Sequence, residues 1–267
     1  MWAVYRLSGG AFSGCRIASD WVGPVKSDAR LAELSANLGA LDKRISAACA
    51  EAGRDRQSVT LVAVTKTFPA SDVELLATLG ITDVAENRDQ EARAKSAQTS
   101  ADVRWHFVGQ IQRNKAASVA SYSDVVHSAD RPELITALAS GSARRRASAL
   151  GVLIQVNLDP SEPGELGPRG GAHPGDAPGL GELVSSEPSL QLRGVMAVAP
   201  RGADPDAAFA QLAAVSRVLR ARFPGAAWIS AGMSGDLESA IRHGATHVRV
   251  GGDLLGSRSR LRGTVAG

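Results

Sequence analysis

A lysine at the end of an apolar segment is the first residue in this sequence that could take part in chemistry. Lys66 directly follows Leu-Val-Ala-Val-Thr at positions 61–65. Partial removal from water favours the neutral amine over the ammonium ion, and the neutral amine attacks carbonyl carbon atoms. The pattern therefore indicates a nucleophilic lysine, and a solvated lysine after a strand is the alternative.

Two glycine-containing turns near the end of the sequence could bind a phosphate. Residues 247–252 read His-Val-Arg-Val-Gly-Gly and lead through Asp253 into a helical pattern. Glycines at such a turn expose backbone N–H groups at the positive end of a helix, where anions bind. In residues 230–236, Ser234 lies just before a second helical pattern. A capping serine and a tight turn are the alternative interpretation.

A third candidate, Arg249, lies inside the last apolar segment. A lysine amine, a phosphate-binding turn and a buried arginine are together the groups needed to hold pyridoxal phosphate. We therefore expect this cofactor, provided that the fold brings the three groups to one place.

Eight short apolar segments, each followed by a helical pattern, would have to position these groups. Continuous apolar runs, in contrast to alternating ones, indicate parallel strands buried on both faces. The segments cover residues 61–66, 82–87, 105–109, 125–130, 151–157, 192–198, 227–232 and 247–252. This pattern favours a (β/α)8 TIM barrel of the α/β class, in which loops after strands seven and eight commonly bind phosphate. A doubly wound open sheet is the alternative, although it usually has a glycine-rich turn after its first strand.

The segment before the first strand predicts an additional helix. Apolar residues recur every three or four positions over residues 29–51, with Asp28 as a candidate N-cap and Gly53 just past the end. Residues 1–27 contain a single acid, Asp20, and have neither a helical nor an alternating period. We predict a flexible N-terminal extension over residues 1–27 and a single domain over residues 28–267.

Residues 159–181 interrupt the alternation of strands and helices. The segment has five prolines and seven glycines in 23 residues, too many for a helix or a strand. It predicts a long loop after the fifth strand, at the face where barrels carry their active sites. A functional loop and a floppy insertion are both compatible with this composition.

Composition and charge argue against several classes of function. The 267 residues include 30 basic and 27 acidic side chains, and the formal charge of +3 is spread along the chain, unlike the dense basic face of nucleic-acid-binding proteins. No stretch approaches the length of about 18 apolar residues that a membrane-spanning helix needs. The two cysteines, Cys15 and Cys49, form neither a disulfide framework nor a CxxC zinc motif. We expect a cytoplasmic monomer without a metal ion, and neither nucleic acid nor membrane as a partner.

Six motifs, in the same order, make the sequence similar to a known family. They are Ala-Val-Thr-Lys (63–66), Ala-Glu-Asn (85–87), Trp-His-Phe-Val-Gly-Gln-Ile-Gln-Arg-Asn-Lys (105–115), Gly-Val-Met-Ala-Val (194–198), Gly-Met-Ser-Gly-Asp-Leu-Glu (232–238) and Val-Arg-Val-Gly (248–251). From about residue 28 to residue 258, the chain closely resembles the pyridoxal phosphate homeostasis family, also called YggS-like or PROSC-like. Residues 1–27 lie outside the resemblance.

The resemblance implies a barrel like the N-terminal domain of alanine racemase, with bound pyridoxal phosphate. By motif, Lys66 would be the Schiff-base lysine and Arg249 the partner of the pyridine nitrogen. The phosphate ligands would be Ser234 and the amides of Gly251 and Gly252. The residues implied to line the pocket are Asn87, His106, Ser128 and Met196. For His106, a strand histidine satisfied within the protein is the alternative.

Three features depart from the family pattern. Family members usually have Gly-Glu-Asn where this chain has Ala85-Glu86-Asn87, and a hydroxyl residue, commonly threonine, in place of Gly252. The missing hydroxyl removes one phosphate hydrogen bond, worth about 1.5 to 3 kcal/mol if charge-assisted. The loop over residues 159–181 is longer than usual, although residues 169–171, Arg-Gly-Gly, resemble a basic and glycine element of the family. These departures predict an altered affinity for the cofactor.

Residues and resemblance together favour a carrier over an enzyme. Arg249 would leave the pyridine nitrogen unprotonated, since a guanidinium has no proton to give at ordinary pH. Alanine racemases use a second base, a tyrosine from a C-terminal domain of the partner subunit, whereas the tyrosines here are Tyr5 and Tyr122. The expected function is intracellular homeostasis of pyridoxal phosphate, stored, buffered or delivered as a lysine aldimine, with apo forms of cofactor-dependent enzymes as candidate recipients. The alternative is a weak amino-acid racemase or a related enzyme with Lys66 as its sole base.

Overall fold

Eight parallel strands form a closed barrel in this computed structural model, which describes residues 24–145, 147–159 and 170–256. The strands are β1 (Thr60–Val64), β2 (Asp83–Glu86), β3 (Arg104–Phe107), β4 (Val125–Ala129), β5 (Leu150–Gln155), β6 (Leu190–Met196), β7 (Trp228–Ser230) and β8 (His247–Val250). They follow one another around the barrel in chain order, and β8 pairs with β1 to close it. The predicted (β/α)8 TIM barrel is confirmed, and each strand lies in or beside its predicted segment.

Each strand is followed by a helix on the outside of the barrel. Within the described residues the helices are α1 (Pro24–Glu51), α2 (Ala70–Thr78), α3 (Asp89–Gln98), α4 (Ala116–Tyr122), α5 (Pro132–Arg145), α6 (Ala177–Ser186), α7 (Pro205–Arg222), α8 (Leu237–Arg242) and α9 (Gly252–Leu255). None of the helices in these ranges has both the length and the apolar character that crossing a membrane requires.

Helix α1 precedes the eight repeats, as the sequence predicts, but it begins earlier than expected. It starts at Pro24, so Asp28 lies inside the helix and is not its N-cap. A proline is tolerated at the first helical position because its missing N–H group would have no partner there. Residues 24–27 of the predicted extension are therefore helical, and residues 1–23 lie outside the described residues.

Two apolar layers fill the space between the barrel and its helices. One includes Leu34 and Ile45 of α1, packed with Ile241 of α8 and Val248 of β8. The other joins α4 to α7 with β3 to β7. Inside the barrel the apolar cluster is small: Val125, Leu153 and Met196, each at most 2% exposed. The rest of the interior therefore has room for polar side chains.

The prediction of a loop over residues 159–181 is wrong for the last part of this segment. A short 3-10 turn at Pro174–Asp176 leads directly into α6, which begins at Ala177. Pro178 lies in the first turn of that helix, where a proline costs no hydrogen bond. Gly181 allows close packing, because an added Cβ would lie 2.7 Å from the side chain of Leu219 on α7. Residues 160–169 of the predicted loop lie outside the described residues.

Candidate functional site

Lys66 lies in the turn that follows β1, two residues beyond Val64. Its side chain is half-buried, and no hydrogen bond or ion pair joins its ammonium group to another described residue. The turn faces the carboxyl end of the barrel, the face at which barrels of this type hold their ligands. The amine is thus placed at the mouth with no partner among the described residues.

A buried ion pair holds the backbone just before Lys66. Lys95 on α3 is 5% exposed, and its Nζ donates to the carbonyl oxygen of Thr65 at 2.7 Å. The same ammonium pairs with Glu86, which also accepts a hydrogen bond from the Thr65 hydroxyl at 2.7 Å. Burial raises the pKa of Glu86, against the opposing effects of Lys95 and Thr65. Removing either partner would leave a buried charge unpaired, so this pair resists change.

The residue just after Lys66 is held as well. Thr67 has a φ of 71°, and its N–H group donates to the carboxylate of Glu91 on α3. A β-branched residue in this left-handed region costs about 1 to 3 kcal/mol, and such strain persists where the surroundings impose it. Helix α3 therefore fixes the turn on both sides of Lys66, a role that the sequence does not reveal.

Arg249, in β8, is 5% exposed and meets neutral acceptors. Its Nη1 donates to Ser230 Oγ at 2.7 Å and its Nη2 to the carbonyl oxygen of Ala197 at 2.9 Å. Burial lowers the pKa of Arg249 to about 10, while the charge of Asp236 acts in the opposite direction. The guanidinium therefore remains charged at neutral pH. No carboxylate forms an ion pair with it among the described residues.

The two turns predicted to bind phosphate lie after β7 and β8. Ser234 is half-buried between β7 and α8, and Gly251 and Gly252 form the start of α9. The Gly252 amide, like the other first amides of a helix, has no acceptor within the helix. A Cβ added to Gly251 would lie 3.2 Å from the carbonyl oxygen of Val64, so this turn contacts the end of β1. The structure thereby places the predicted phosphate turn beside the turn that carries Lys66.

Helix α1 supports both of these turns from behind. Arg44 donates to the carbonyl oxygen of Ser234 at 2.9 Å and to Asp253 Oδ2 at 2.8 Å. A third bond joins Arg44 Nε to Glu238 Oε1 at 2.9 Å. Asn37 donates to the carbonyl oxygen of Leu254 at 3.0 Å. The helix outside the eight repeats is therefore part of the site's support.

Two cavities open at the mouth of the barrel, and Gln110 lines both. Asn87 lines one of about 620 Å³, together with Asp130 and Arg131. Met196 lines the other, of about 650 Å³, together with Asp236. Two of the residues predicted to line the pocket are thus found at cavities.

The other two residues predicted to line the pocket lie deeper. Ser128 is 1% exposed, and its Oγ has no hydrogen-bond partner among the described residues. His106 is also 1% exposed, and its two ring nitrogens lie 2.7 Å from His127 Nε2 and 2.8 Å from Asp83 Oδ1. The geometry of His106 matches the alternative of a histidine satisfied within the protein.

Tyr122, the tyrosine in the described part of the chain, is hydrogen-bonded to a carboxylate. It lies on α4, where its hydroxyl donates to Asp89 Oδ1 at 3.3 Å. Burial, and then the charge and hydrogen bond of Asp89, raise the pKa of Tyr122. Nor do the described residues contain a group of three or more His, Cys, Asp or Glu side chains that could hold a metal ion.

Comparison with known proteins gives a consistent result. The family model of the alanine racemase N-terminal domain matches residues 36–259. A pyridoxal phosphate homeostasis protein of Mycobacterium tuberculosis is 42% identical over 252 residues, which is 87% of this chain and 95% of that protein. The structure of PipY from Synechococcus elongatus with pyridoxal phosphate bound is similar at a TM-score of 0.71 and 30% identity, covering 84% of this chain and 100% of that one. The crystal structure of an unknown protein from Bifidobacterium adolescentis is similar at a TM-score of 0.77 and 28% identity, covering 85% of this chain and 96% of that one.

Proposed function

Since the chain belongs to the family of pyridoxal phosphate homeostasis proteins, with the fold of the alanine racemase N-terminal domain, we propose that it binds pyridoxal phosphate and stores, buffers or delivers this cofactor. Apo forms of cofactor-dependent enzymes are the recipients we propose. We also propose that it works in the cytoplasm as a monomer, without a nucleic-acid partner, in keeping with a charge that is spread along the chain.

The observation that carries the proposal is the buried, charged Arg249. A guanidinium in this environment donates hydrogen bonds and gives up no proton, so a pyridine nitrogen facing it would stay unprotonated. When bound, pyridoxal phosphate supplies an aldehyde that bonds reversibly to amines and a ring that withdraws electrons, more weakly when its nitrogen is unprotonated. Arg249 therefore favours holding the cofactor over using it to transform amino acids.

The side chains at the mouth fit this cofactor. Lys66 offers an amine without a partner among the described residues, the group that an aldehyde requires. Ser234 and the amides of Gly251 and Gly252 offer the donors that a phosphate requires. Ser128 has a buried hydroxyl oxygen without a described partner, which a polar ligand atom or a water molecule would satisfy.

We assign these residues as follows. Lys66 would bond to the aldehyde, Arg249 would orient the ring through its nitrogen, and Ser234 with the Gly251 and Gly252 amides would bind the phosphate. Asn87 and Met196, each of which lines one of the two cavities, would contact the ring. Contact from His106 would be limited to its ring carbons, because both of its nitrogens are bonded within the barrel.

The test of carrier against enzyme is α-proton exchange. Incubation of the cofactor-loaded protein with L-alanine in deuterated water should give far less than one exchange per protein molecule per minute, because Arg249 would keep the pyridine nitrogen unprotonated and Tyr122 is bonded to Asp89. Mass spectrometry and chiral chromatography measure deuterium uptake and D-alanine. Many exchanges per molecule would establish the alternative, a weak racemase or related enzyme. Transfer of the cofactor to an apoenzyme in the same buffer would support delivery.

A second prediction concerns the glycine at which the family usually has a hydroxyl residue. Gly252 has a negative φ, and a Cβ added there would meet nothing within 4 Å, so a threonine fits without strain. Gly252→Thr should therefore add one phosphate donor and tighten cofactor binding, by about 1.5 kcal/mol or about tenfold if the bond is charge-assisted. Titration of the apo proteins with pyridoxal phosphate measures the change. Gly252→Val, which has similar bulk and no hydroxyl, is the control. Weaker binding by the threonine variant would show that this turn has a conformation of its own and that the family's hydroxyl contact does not apply at position 252.

A further inference from the structure

Five side chains on five strands form one hydrogen-bond chain across the barrel interior. Arg249 Nη1 lies 2.7 Å from Ser230 Oγ, which lies 3.0 Å from His127 Nδ1. His127 Nε2 lies 2.7 Å from His106 Nδ1, and His106 Nε2 lies 2.8 Å from Asp83 Oδ1. All five residues are at most 5% exposed. Because β4 and β7 are not neighbours in the barrel, the bond from His127 to Ser230 must cross its interior.

The direction of the chain can be worked out from Arg249. A guanidinium only donates, so Ser230 Oγ accepts at this end. The hydroxyl hydrogen of Ser230, fully buried, then has His127 Nδ1 as its acceptor among the described residues. His127 Nδ1 therefore carries no hydrogen, and the proton of that ring lies on Nε2, facing His106.

The Asp83 end of the chain is consistent with this direction. Burial raises the pKa of Asp83, but the hydrogen bonds from His106 and Thr82 and the positive charge of Arg104 outweigh this effect, and the pKa falls to about 2. The ionised carboxylate only accepts, so His106 donates through Nε2 and, when neutral, accepts through Nδ1. Burial, and then nearby positive charges, hold the pKa of His127 well below its usual value, so that ring is neutral. Both ends of the chain therefore agree on the position of the proton on each histidine ring.

We propose that this chain runs in one direction, from Arg249 through Ser230, His127 and His106 to Asp83, and fixes the Arg249 guanidinium for its ligand. Ser230, His127 and His106 are then positioning residues of the cofactor site. The inference rests on the proposed function, because that function gives Arg249 its ligand. A serine whose hydrogen is committed to His127 must present a lone pair to Arg249. The Ala197 carbonyl fixes the second nitrogen, and the remaining N–H groups are directed by these two bonds.

Two further groups lie near the chain: Arg104 joins it at its outer end, and His247 lies beside it without joining it. Arg104 Nη1 lies 2.9 Å from Asp83 Oδ1, at the outer end of the chain. The His247 ring lies 6.4 Å from that of His106, but its Nδ1 pairs with Thr246 Oγ1 at 2.8 Å and its ring lies against Trp228. His247 is 4% exposed. It is therefore a matched control: a buried histidine in the same interior, outside the chain.

The first test needs no cofactor. Nitrogen-15 NMR of the apo protein near pH 7 should show His106 and His127 neutral, each with its proton on Nε2, and separate Nη signals for Arg249. Ser230→Ala should merge the Arg249 signals by speeding rotation of the guanidinium, and His247→Gln should leave them separate. A proton on Nδ1 of His127 in the wild type, or unchanged Arg249 signals in Ser230→Ala, would overturn the proposal.

The second test measures the consequence for the ligand. Ser230→Ala and His127→Gln should each weaken binding of pyridoxal phosphate about tenfold or more, the effect of losing a hydrogen bond to a charged group, and shift its absorption maximum. His247→Gln should change neither. Circular dichroism and thermal unfolding identify any variant that fails to fold, and Ser230→Ala, the smaller change, decides in that case. Wild-type affinity and spectrum in Ser230→Ala would overturn the inference. If the wild-type protein does not bind pyridoxal phosphate, the proposed function is refuted. The NMR result alone would then decide whether the hydrogen-bond chain exists in the proposed direction.

Discussion

Lys66→Ala should abolish covalent capture of pyridoxal phosphate. The variant should show no absorption band of a lysine adduct near neutral pH, and borohydride should fix no cofactor to the protein. The physical reason is that Lys66 is the half-buried amine at the mouth with no bond to another described residue, whereas Lys95, the neighbouring buried lysine, is committed to Glu86 and Thr65. Absorbance before and after borohydride, followed by peptide mass spectrometry, measures the loss.

Lys115→Ala is the matched control for this experiment. Lys115 lines a cavity at the mouth, but its side chain is 54% exposed and its Nζ lies 3.9 Å from Asp89 Oδ2. That variant should keep the band and the borohydride-fixed adduct on Lys66. An adduct that maps to Lys115 or Lys95 in the wild type would contradict the assignment of Lys66.

Pyridoxal without its phosphate should bind far more weakly than pyridoxal phosphate. Ser234 and the amides at the start of α9 are the donors that the phosphate would use, and a ligand lacking it loses at least two of these bonds. Two charge-assisted hydrogen bonds of about 1.5 to 3 kcal/mol each correspond to a Kd weaker by roughly a hundredfold to ten-thousandfold. Titration of the apo protein with both compounds, followed by absorbance, gives the two constants.

Ser234→Ala tests the same site from the protein's side. The substitution should weaken the binding of pyridoxal phosphate and leave that of pyridoxal unchanged, so the two dissociation constants should become more similar. Ser121→Ala is the matched control, because Ser121 lies on α4 and bonds to the carbonyl oxygen of Ser118, away from these turns. Equal affinities for the two compounds in the wild type would show that the turns after β7 and β8 are not the phosphate site.

The barrel could be predicted because its signals are local. Each strand is a short apolar run and each helix follows it, so Lys66, Ser234 and Gly252 were placed at strand ends without knowledge of long-range contacts. The start of α1 could be predicted less accurately, because a proline is compatible both with a helix start and with an irregular segment. Pro178 and Gly181 suggest a loop, although both lie in α6, for a related reason. The free-energy cost of a proline in a helix depends on its position there, and the glycine allows close packing against Leu219 of α7.

The support of the site could not be predicted because it depends on pairs far apart in sequence. Thr67 bonds to Glu91, and Arg44 bonds to Ser234, across separations of 24 and 190 positions. One signal was available for the interior chain. Asp83 and His127 are polar residues within segments otherwise typical of buried strands, and a buried polar group needs a partner. The identity of those partners required the closed barrel.

Helix α1 lies outside the eight repeats and yet reaches both turns through Arg44 and Asn37. Docking of α1 and occupancy of the turns are therefore linked equilibria: a ligand that favours one arrangement of the turns favours the docked helix by the same free energy, and the reverse holds equally. Since the helix ends at Glu51 and residues 52–59, with the 3-10 turn Arg56–Ser58, connect it to the first strand, any protein that pulled α1 away from the barrel would lower the affinity for the ligand without touching the mouth. Release would then be controlled from the outer face of the turns, where α1 packs against α8 and α9.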